Sequence, residues 1–243
     1  MSTSLRSFAN RLQKGRVLFI AVSGFSPGFA PADGSLAPGP FGASLDAMSS
    51  LLDEIGSLET EISSSRTERS AMAKAVRSLT TRVLGYVKAN AAWKLEFPRM
   101  KELGDRVRNV RASSRRAKMA AAAGGASPVR ERAGRGAGNG SFAEMASSFK
   151  SLVALVNGLA GFSPPDVAIS AASLTALAGQ FDALNGQVGT AESALDAAKQ
   201  ARKAAFYEEG TGLAAKFAAI KQSVKGQYGQ NSTEYAQVSG MRW

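Results

Sequence analysis

The chain has 243 residues, of which 44% are hydrophobic, and it carries a formal net charge of +11. It contains neither cysteine nor histidine, which excludes disulfides, thiolate metal sites, cysteine nucleophiles and all Ser-His-Asp or histidine-zinc chemistry. A chain of this length buries enough surface to fold without covalent cross-links.

The first predicted element is a short helix from about Leu5 to Val22. Four bases lead into a run of six apolar residues at 17–22, an order that also suggests a secretory signal. That run is shorter than the apolar region of a signal peptide, and no run approaches the roughly 20 apolar residues that cross a bilayer. We therefore predict a cytoplasmic protein without a membrane span, and export stays as an alternative.

The tetrapeptide Gly-Phe-Ser-Pro at 24–27 recurs at 161–164, and the segment after each copy opens with Ala-Ser-Leu, at 43–45 and at 172–174. The two spacings, 137 and 129 residues, differ because the loop rich in glycine and proline is longer in the first copy. Colinear matches at similar spacing indicate an internal repeat. We expect a helical unit that occurs twice in the chain.

A long helix is predicted after the first of these loops, because apolar residues recur there three or four positions apart. They are Leu45, Met48, Leu52, Ile55 and Ile62, then Met72, Val76, Leu79, Val83 and Tyr86. Three serines at 63–65 interrupt this stripe, and Ser65 with Glu68 matches a capping box, but no glycine or proline stands there. Whether residues 43–93 form one helix or two is left open.

Most of the net charge lies near the middle of the chain. Between 106 and 136 nine bases stand against one acid. A segment this rich in glycine, alanine and arginine cannot bury enough apolar surface to order itself. We therefore predict a flexible basic linker at 112–140, between a first helical repeat at 1–111 and a second at 141–243. The candidate phosphate contacts are Arg106, Arg108, Arg111, Arg115, Arg116, Lys118, Arg130, Arg132 and Arg135.

Two interpretations of this basic segment differ in function. As a tether that contacts phosphates, it would make binding strongly dependent on salt. As a solvated spacer, it would only join the repeats and keep the protein in solution. Aromatic residues are absent from 106 to 141, so a stacking platform for single strands is lacking, and no recognition helix or zinc finger is evident. The spacer is the favoured interpretation.

The second repeat carries stronger helix signals. Ser141 followed by Glu144 is a capping box, and the apolar residues that follow recur at helical spacing up to about Leu159. After the second tetrapeptide another apolar stripe predicts a long helix, through Leu174, Leu177, Phe181, Leu184, Val188, Ala191, Leu195 and Ala198. Glycines at 210 and 212 predict a break before a further helix.

The two halves end in tails that carry recognisable patterns. The second tail holds Tyr228, Gly229, Ser232, Glu234, Tyr235, Gly240 and Arg242, and the first, at 97–108, holds Arg99, Leu103, Gly104, Val107 and Arg108. These patterns resemble the tails of a widespread group of uncharacterised bacterial all-helical proteins. The resemblance implies a helical architecture and a bacterial origin, and it implies no activity.

The second tail also has a physical interpretation. Gly229 suits the left-handed conformation that ends many helices. Asn231 is predicted to cap a final turn, with Glu234 three residues on. Tyr235, Val238 and Trp243 are then expected to fold back onto the bundle.

Catalytic chemistry is the least favoured function class. The chain has no Glu-x-x-His motif and no phosphate-binding loop, while Asp53 and Glu54, or Glu59 and Glu61, point to different helix faces. We predict no enzyme activity, cofactor or metal. The expected fold is all-α, with tandem-duplicated helical hairpins packed as an elongated four-helix-type bundle. The expected function is a scaffold or assembly protein that binds a protein partner or itself. The alternative is a nucleic-acid-associated protein that contacts phosphates through 106–135.

Overall fold

The computed structural model describes residues 3–108 and 141–243, with side chains from Leu5 onward. Within these ranges the regular structure is helical and contains no strand, which confirms the all-α prediction. The α-helices are α1 (Thr3–Ser23), α2 (Pro38–Ala89), α3 (Phe97–Val107), α4 (Phe142–Asn157), α5 (Ala171–Tyr207), α6 (Leu213–Tyr228) and α7 (Thr233–Ser239). Single 3-10 turns lie at Gly34–Leu36, Ala91–Trp93 and Val167–Ile169. The predicted linker at 112–140 lies outside the described residues.

The question left open for residues 43–93 has a definite answer, because α2 is one helix of 52 residues that ends at Ala89. The three serines at 63–65 do not break it. Ser64 and Glu68 bond side chain to side chain across one turn, at 3.4 Å, and Ile62 and Ala73 are buried on either side of the serines. Without a glycine or proline, nothing forces the backbone out of the helix.

The predicted break in the second repeat is confirmed, because α5 ends at Tyr207 and α6 begins at Leu213. Gly210 has a φ of +78°, which other residues rarely adopt. At Gly212 a Cβ atom would lie 2.6 Å from the backbone nitrogen of Glu208, so only glycine lets the chain turn this tightly. The two glycines thus end one helix and start the next.

The helix caps confirm one prediction and correct another. The capping box of α4 is present, with the Glu144 N–H donating to Ser141 Oγ at 3.1 Å and the Ser141 N–H to Glu144 Oε2 at 2.9 Å. The prediction that Asn231 caps the final turn is wrong. Ser232 is the cap of α7, and its Oγ accepts from the N–H of Tyr235 at 3.0 Å. The cap lies one residue later because α7 begins at Thr233.

The end of the chain folds back as predicted. Gly229 ends α6 with a φ of +93°. Val238 is fully buried, and Tyr235 and Trp243 pack against the same apolar cluster. The Trp243 ring lies 5.2 Å from that of Phe217, between ring centroids.

The chain divides into two compact units, which do not coincide with the two predicted repeats. Unit 1 comprises residues 1–63 and 190–243, and unit 2 comprises 64–189. Unit 1 therefore contains the start of the first repeat and the end of the second. Unit 2 contains the end of the first repeat and the start of the second.

Each unit has its own apolar core. In unit 1 the core joins α1, the first part of α2, the end of α5, α6 and α7, with Leu18, Phe41, Phe206 and Ile220 among its fully buried members. In unit 2 it joins the second part of α2, α3, α4 and the start of α5, with Val83, Met100, Phe149 and Phe181 fully buried. Most residues of the predicted apolar stripes lie in these two cores, and a third, smaller cluster contains Leu5, Ile55 and Ala198.

Several equivalent structural features around the start of the two long helices recur 133 residues apart. Asp33 and Asp166 each cap a 3-10 turn by accepting the N–H two residues on, and 166 minus 33 gives 133. At the same spacing, the N–H groups of Phe41 and Leu174 bond to the residue that follows each turn, both at 3.0 Å. Leu174 is therefore equivalent to Phe41 rather than to Leu45. The Ala-Ser-Leu triplets are one helical turn out of register and are not equivalent in the structure.

Candidate functional site

Each Gly-Phe-Ser-Pro loop is fastened by a tyrosine from the other repeat. The Tyr228 hydroxyl donates to the Pro27 carbonyl at 2.6 Å, and its ring meets Phe25 edge-on at 5.4 Å. In unit 2 the Tyr86 hydroxyl donates to the Ser163 carbonyl at 3.0 Å, and its ring meets that of a phenylalanine at 5.5 Å. Burial raises the pKa of the Tyr228 hydroxyl, and the negative charge of Glu234 adds to this effect. The raised pKa favours the protonated hydroxyl, which is the form that donates this hydrogen bond.

The two tetrapeptide loops are therefore held within the fold by these tyrosines. In the sequence Tyr86 stands out only as part of an apolar stripe and Tyr228 only as part of the tail pattern, because they lie 77 and 201 residues away from the carbonyls they bond. Only their equivalent roles in the two units connect them.

Two arginines at equivalent positions stack over phenylalanine rings. The Arg202 guanidinium carbon lies 4.1 Å from the Phe8 ring centroid, and that of Arg69 lies 4.3 Å from the Phe142 centroid. The spacing is again 133, from 202 minus 69. Arg202 is only 8% exposed. Burial lowers the pKa of its guanidinium, and the negative charge of Glu59 opposes this effect without cancelling it.

These guanidinium groups are packing elements. The Nε atoms of Arg69 and Arg202 are covered and have no hydrogen-bond partner in the described structure. Solvent does not reach these Nε atoms, and the ring face offsets part of the cost of burying the charge.

The candidate phosphate contacts are only partly described. Arg106 is exposed, and its Nη2 lies 2.7 Å from Glu102 Oε1. Arg108 is less exposed; its Nη2 lies 2.6 Å from Asp105 Oδ1, and its Nε donates to the Gly104 carbonyl at 3.3 Å. Both arginines therefore already have partners on α3. The others, Arg111, Arg115, Arg116, Lys118, Arg130, Arg132 and Arg135, lie outside the described residues.

Positive charge is distributed unevenly between the units. Unit 1 holds eleven bases and eleven acids, so its formal charge is zero. The described residues of unit 2 hold twelve bases and seven acids, a charge of +5. Residues 109–140, which join α3 to α4, hold seven bases and one acid, a charge of +6. The whole net charge of +11 thus falls within 64–189.

Helix α1 places two large apolar side chains on its solvent-facing side. Val17 is 45% exposed and Ile20 is 68% exposed, and they stand three positions apart, so they share a face. Leu18 and Val22 on the opposite side are buried. All four charged residues of α1 are bases, and none is an acid.

Helix α4 is the counterpart of α1 in the second repeat, so its exposed residues can be compared with those on the outer face of α1. Both helices end at the same relative point, Ser23 and Asn157, a spacing of 134 from 157 minus 23. At that spacing the positions of Val17 and Ile20 correspond to Ser151 and Ala154, which are also exposed. Small residues at these positions of α4 are therefore compatible with the fold, so packing does not require the large apolar pair on α1.

The carboxylates singled out from the sequence lie on helix surfaces and beside the break between α5 and α6. No group of three or more metal-ligating side chains occurs within those ranges. Asp53, Glu54 and Glu61 are exposed on α2, and Glu59 lies 3.4 Å from Lys199 Nζ in an ion pair. Glu208 and Glu209 are exposed beside the break between α5 and α6.

Among the helices described, none combines the length and the apolar character needed to cross a membrane. Comparison of the chain with protein-family models, with curated proteins and with solved structures finds no match.

Proposed function

We propose that this chain is a non-enzymatic helical scaffold in the cytoplasm that binds a protein partner through the outer face of α1. The observation that carries the proposal is the exposed pair Val17 and Ile20. Single exposed apolar residues are common, but here the equivalent helix α4 holds serine and alanine instead. A large apolar pair that the fold does not need is typical of a contact surface.

The charge of α1 favours a partner of complementary chemistry. Arg11 lies over the Tyr207 ring at 5.1 Å, and Arg16 lies 3.9 Å from Asp46. Arg6 and Lys14 are exposed on the same helix. A protein segment with apolar residues between acidic ones would bury Val17 and Ile20 and meet these cations, which improves both specificity and association rate.

Photocrosslinking tests this surface in the full chain. A photoreactive benzoylphenylalanine in place of Ile20 should give a discrete adduct in cells that normally produce the protein, and the same group in place of Ala154 should not. The partner, once identified by mass spectrometry, should bind the double variant Val17→Ser and Ile20→Ala about tenfold to a hundredfold more weakly in calorimetry, because each tenfold corresponds to about 1.4 kcal/mol of lost burial.

The double variant gives α1 the residues that α4 carries, so it tests the surface without disturbing the fold. An adduct between two copies of the chain would identify the partner as the protein itself. No adduct at position 20, or equal adducts at 20 and 154, would contradict the proposal.

The second candidate is a nucleic-acid-associated protein that uses 106–135. The confinement of the net charge to 64–189 supports it, because clustered cations attract polyanions and release counterions from them. Deletion of residues 112–138 should abolish retention on heparin and DNA in low salt. Retention that survives the deletion would contradict a role for this segment.

A further inference from the structure

The second half of α2 carries a row of cations on its exposed side. Lys74, Arg77 and Lys88 are all exposed, and α2 contains no acid after Glu68. None of the three pairs with a carboxylate of the described residues, whereas Arg82 on the neighbouring side is paired with Asp166. As far as residues 3–108 and 141–243 are concerned, these three exposed side chains are available to an external anion.

The members of the row lie on one α-helix and share one of its faces. Residues 74, 77, 81 and 88 fall within one face of a helix with 3.6 residues per turn. The rise of about 1.5 Å per residue separates Lys74 from Lys88 by about 21 Å along the axis. Thr81 lies between the cations and is exposed, and its hydroxyl donates to the Arg77 carbonyl at 3.1 Å. We call Lys74, Arg77, Thr81 and Lys88 the α2 cationic strip.

We propose that the α2 cationic strip binds the phosphate backbone of duplex nucleic acid. Charge complementarity selects a polyanion, because unit 2 carries +5 in its described residues and unit 1 is neutral. Duplex DNA presents a negative charge about every 1.7 Å of its axis, with both strands counted, so three cations spread over about 21 Å of a helix can each contact a phosphate. Lysine and arginine contacts to phosphates position a protein without reading sequence.

The surroundings of the strip favour a duplex over a single strand. Single-strand binding needs aromatic rings on which bases stack. The nearest rings are engaged elsewhere: Tyr86 contacts the second Gly-Phe-Ser-Pro loop, and Trp93 is 5% exposed and donates its Nε1–H to the Ala160 carbonyl at 3.2 Å.

The same surroundings favour nucleic acid over an anionic membrane. A helix that lies on a membrane inserts large apolar side chains beside its cations. The exposed residues between Lys74 and Lys88 include Ser78, Thr81 and Gly85, which are small or polar. A lipid surface would therefore attract this strip by its charge alone, without burial of large apolar side chains.

The inference shares its ligand class with the second candidate function but depends on different residues, so each can fail alone. The test measures binding of the full chain to a labelled duplex DNA by fluorescence anisotropy between about 50 and 200 mM salt. The triple variant Lys74→Gln, Arg77→Gln and Lys88→Gln should reduce the slope of log K against log salt by about 2.7, or 0.9 per lost phosphate contact. Its affinity at the lowest salt should fall by more than about tenfold.

A matched variant removes the same charges from unit 1: Arg6→Gln, Lys14→Gln and Lys203→Gln, all at exposed positions. It should leave the slope almost unchanged, and equal losses in both variants would show a net-charge effect and overturn the inference. Circular dichroism melts confirm that both variants fold, since exposed substitutions change stability by only about 0.5 kcal/mol.

Three further outcomes would also overturn it. They are tighter strip-dependent binding to single-stranded DNA than to the duplex, strip-dependent binding to phosphatidylserine vesicles without duplex binding, and an unchanged slope in the strip variant. If deletion of 112–138 abolishes binding while the strip variant binds normally, the second candidate stands and this inference fails. A strip-dependent slope in the deleted chain would support the inference on its own.

Discussion

At the scale of residues, the two arginine–phenylalanine stacks show how the fold accommodates buried charge. Arg202 has neither its Nε nor its Nη1 bonded within the described structure, so its guanidinium gains no hydrogen bonds there to replace those of water. The Phe8 ring at 4.1 Å supplies an electrostatic partner in their place. The ring and the cation should therefore depend on each other for their contribution to stability.

A double-mutant cycle with Phe8→Leu and Arg202→Met measures this dependence. We expect a coupling energy of about 1 to 2 kcal/mol in urea unfolding followed by circular dichroism, because a desolvated cation gains about that much from a ring face. The equivalent pair, Phe142 and Arg69, should couple with the same sign. Additive effects in both cycles would contradict the role given to the stacks.

Asp33 provides a residue-level prediction of pH dependence. Hydrogen bonds from the side chain and the backbone N–H of Ser35 lower its pKa below the ordinary 3.8. The carboxylate therefore stabilises the turn above that pH, and this contribution is lost as the pH falls through the lowered pKa.

Ser35→Ala gives the turn the residue that stands at position 168 of the second repeat. It should move the pKa of Asp33 up toward 3.8, as measured by a carbon-13 NMR titration of the carboxyl group. An unchanged midpoint would mean that the Ser35 hydroxyl does not contribute.

At the scale of elements, the two long helical segments differ in continuity, although they share a register. Helix α2 runs without a break to Ala89, whereas α5 stops at Tyr207 and α6 restarts at Leu213. The difference arises from two glycines, one with a positive φ and one with no room for a Cβ atom. Glycines inside α5, such as Gly186, have open space around the missing Cβ.

Alanine substitutions should therefore have opposite signs at the two kinds of glycine. Gly186→Ala should raise the free energy of unfolding by about 0.5 to 1 kcal/mol, because alanine is the better helix former. Gly212→Ala should lower it by about 1 to 3 kcal/mol, because the new Cβ atom would overlap the Glu208 backbone. Thermal and urea unfolding measure both, and equal signs would refute this account of the break.

At the scale of the whole molecule, each compact unit is assembled from both repeats. Unit 1 needs residues 1–63 and 190–243, which lie on opposite sides of the basic segment. A chain cut within 112–140 would thus yield two pieces, neither of which contains a complete core. The predicted repeats are therefore continuous stretches of sequence, whereas each compact unit combines segments from both of them.

Separate expression tests this arrangement. Fragments 1–111 and 141–243 should copurify through a tag on either one and unfold together in a single cooperative transition. Each fragment alone should lack a cooperative melt, because the buried residues of its partner are missing. A fragment that folds by itself would contradict the exchange of elements between the units.

The sequence by itself determined the helices, their apolar faces, the capping box of α4 and the break at 208–212, because these follow from local propensity and from periodicity over a few turns. It also indicated an internal repeat. It did not determine the register of the repeat, since the Ala-Ser-Leu triplets coincide in letters but differ by a turn in position, and it placed the last cap one residue early.

Only the tertiary structure decided which parts pack together. The tyrosines that hold the Gly-Phe-Ser-Pro loops, the rings that cover Arg69 and Arg202, and the division into two units all depend on residues far apart in the chain. The outer face of α1 and the α2 cationic strip are likewise defined by what the cores leave uncovered. Solvent exposure is a property of the packed chain, so a periodic pattern predicts a helix face but not whether that face stays free.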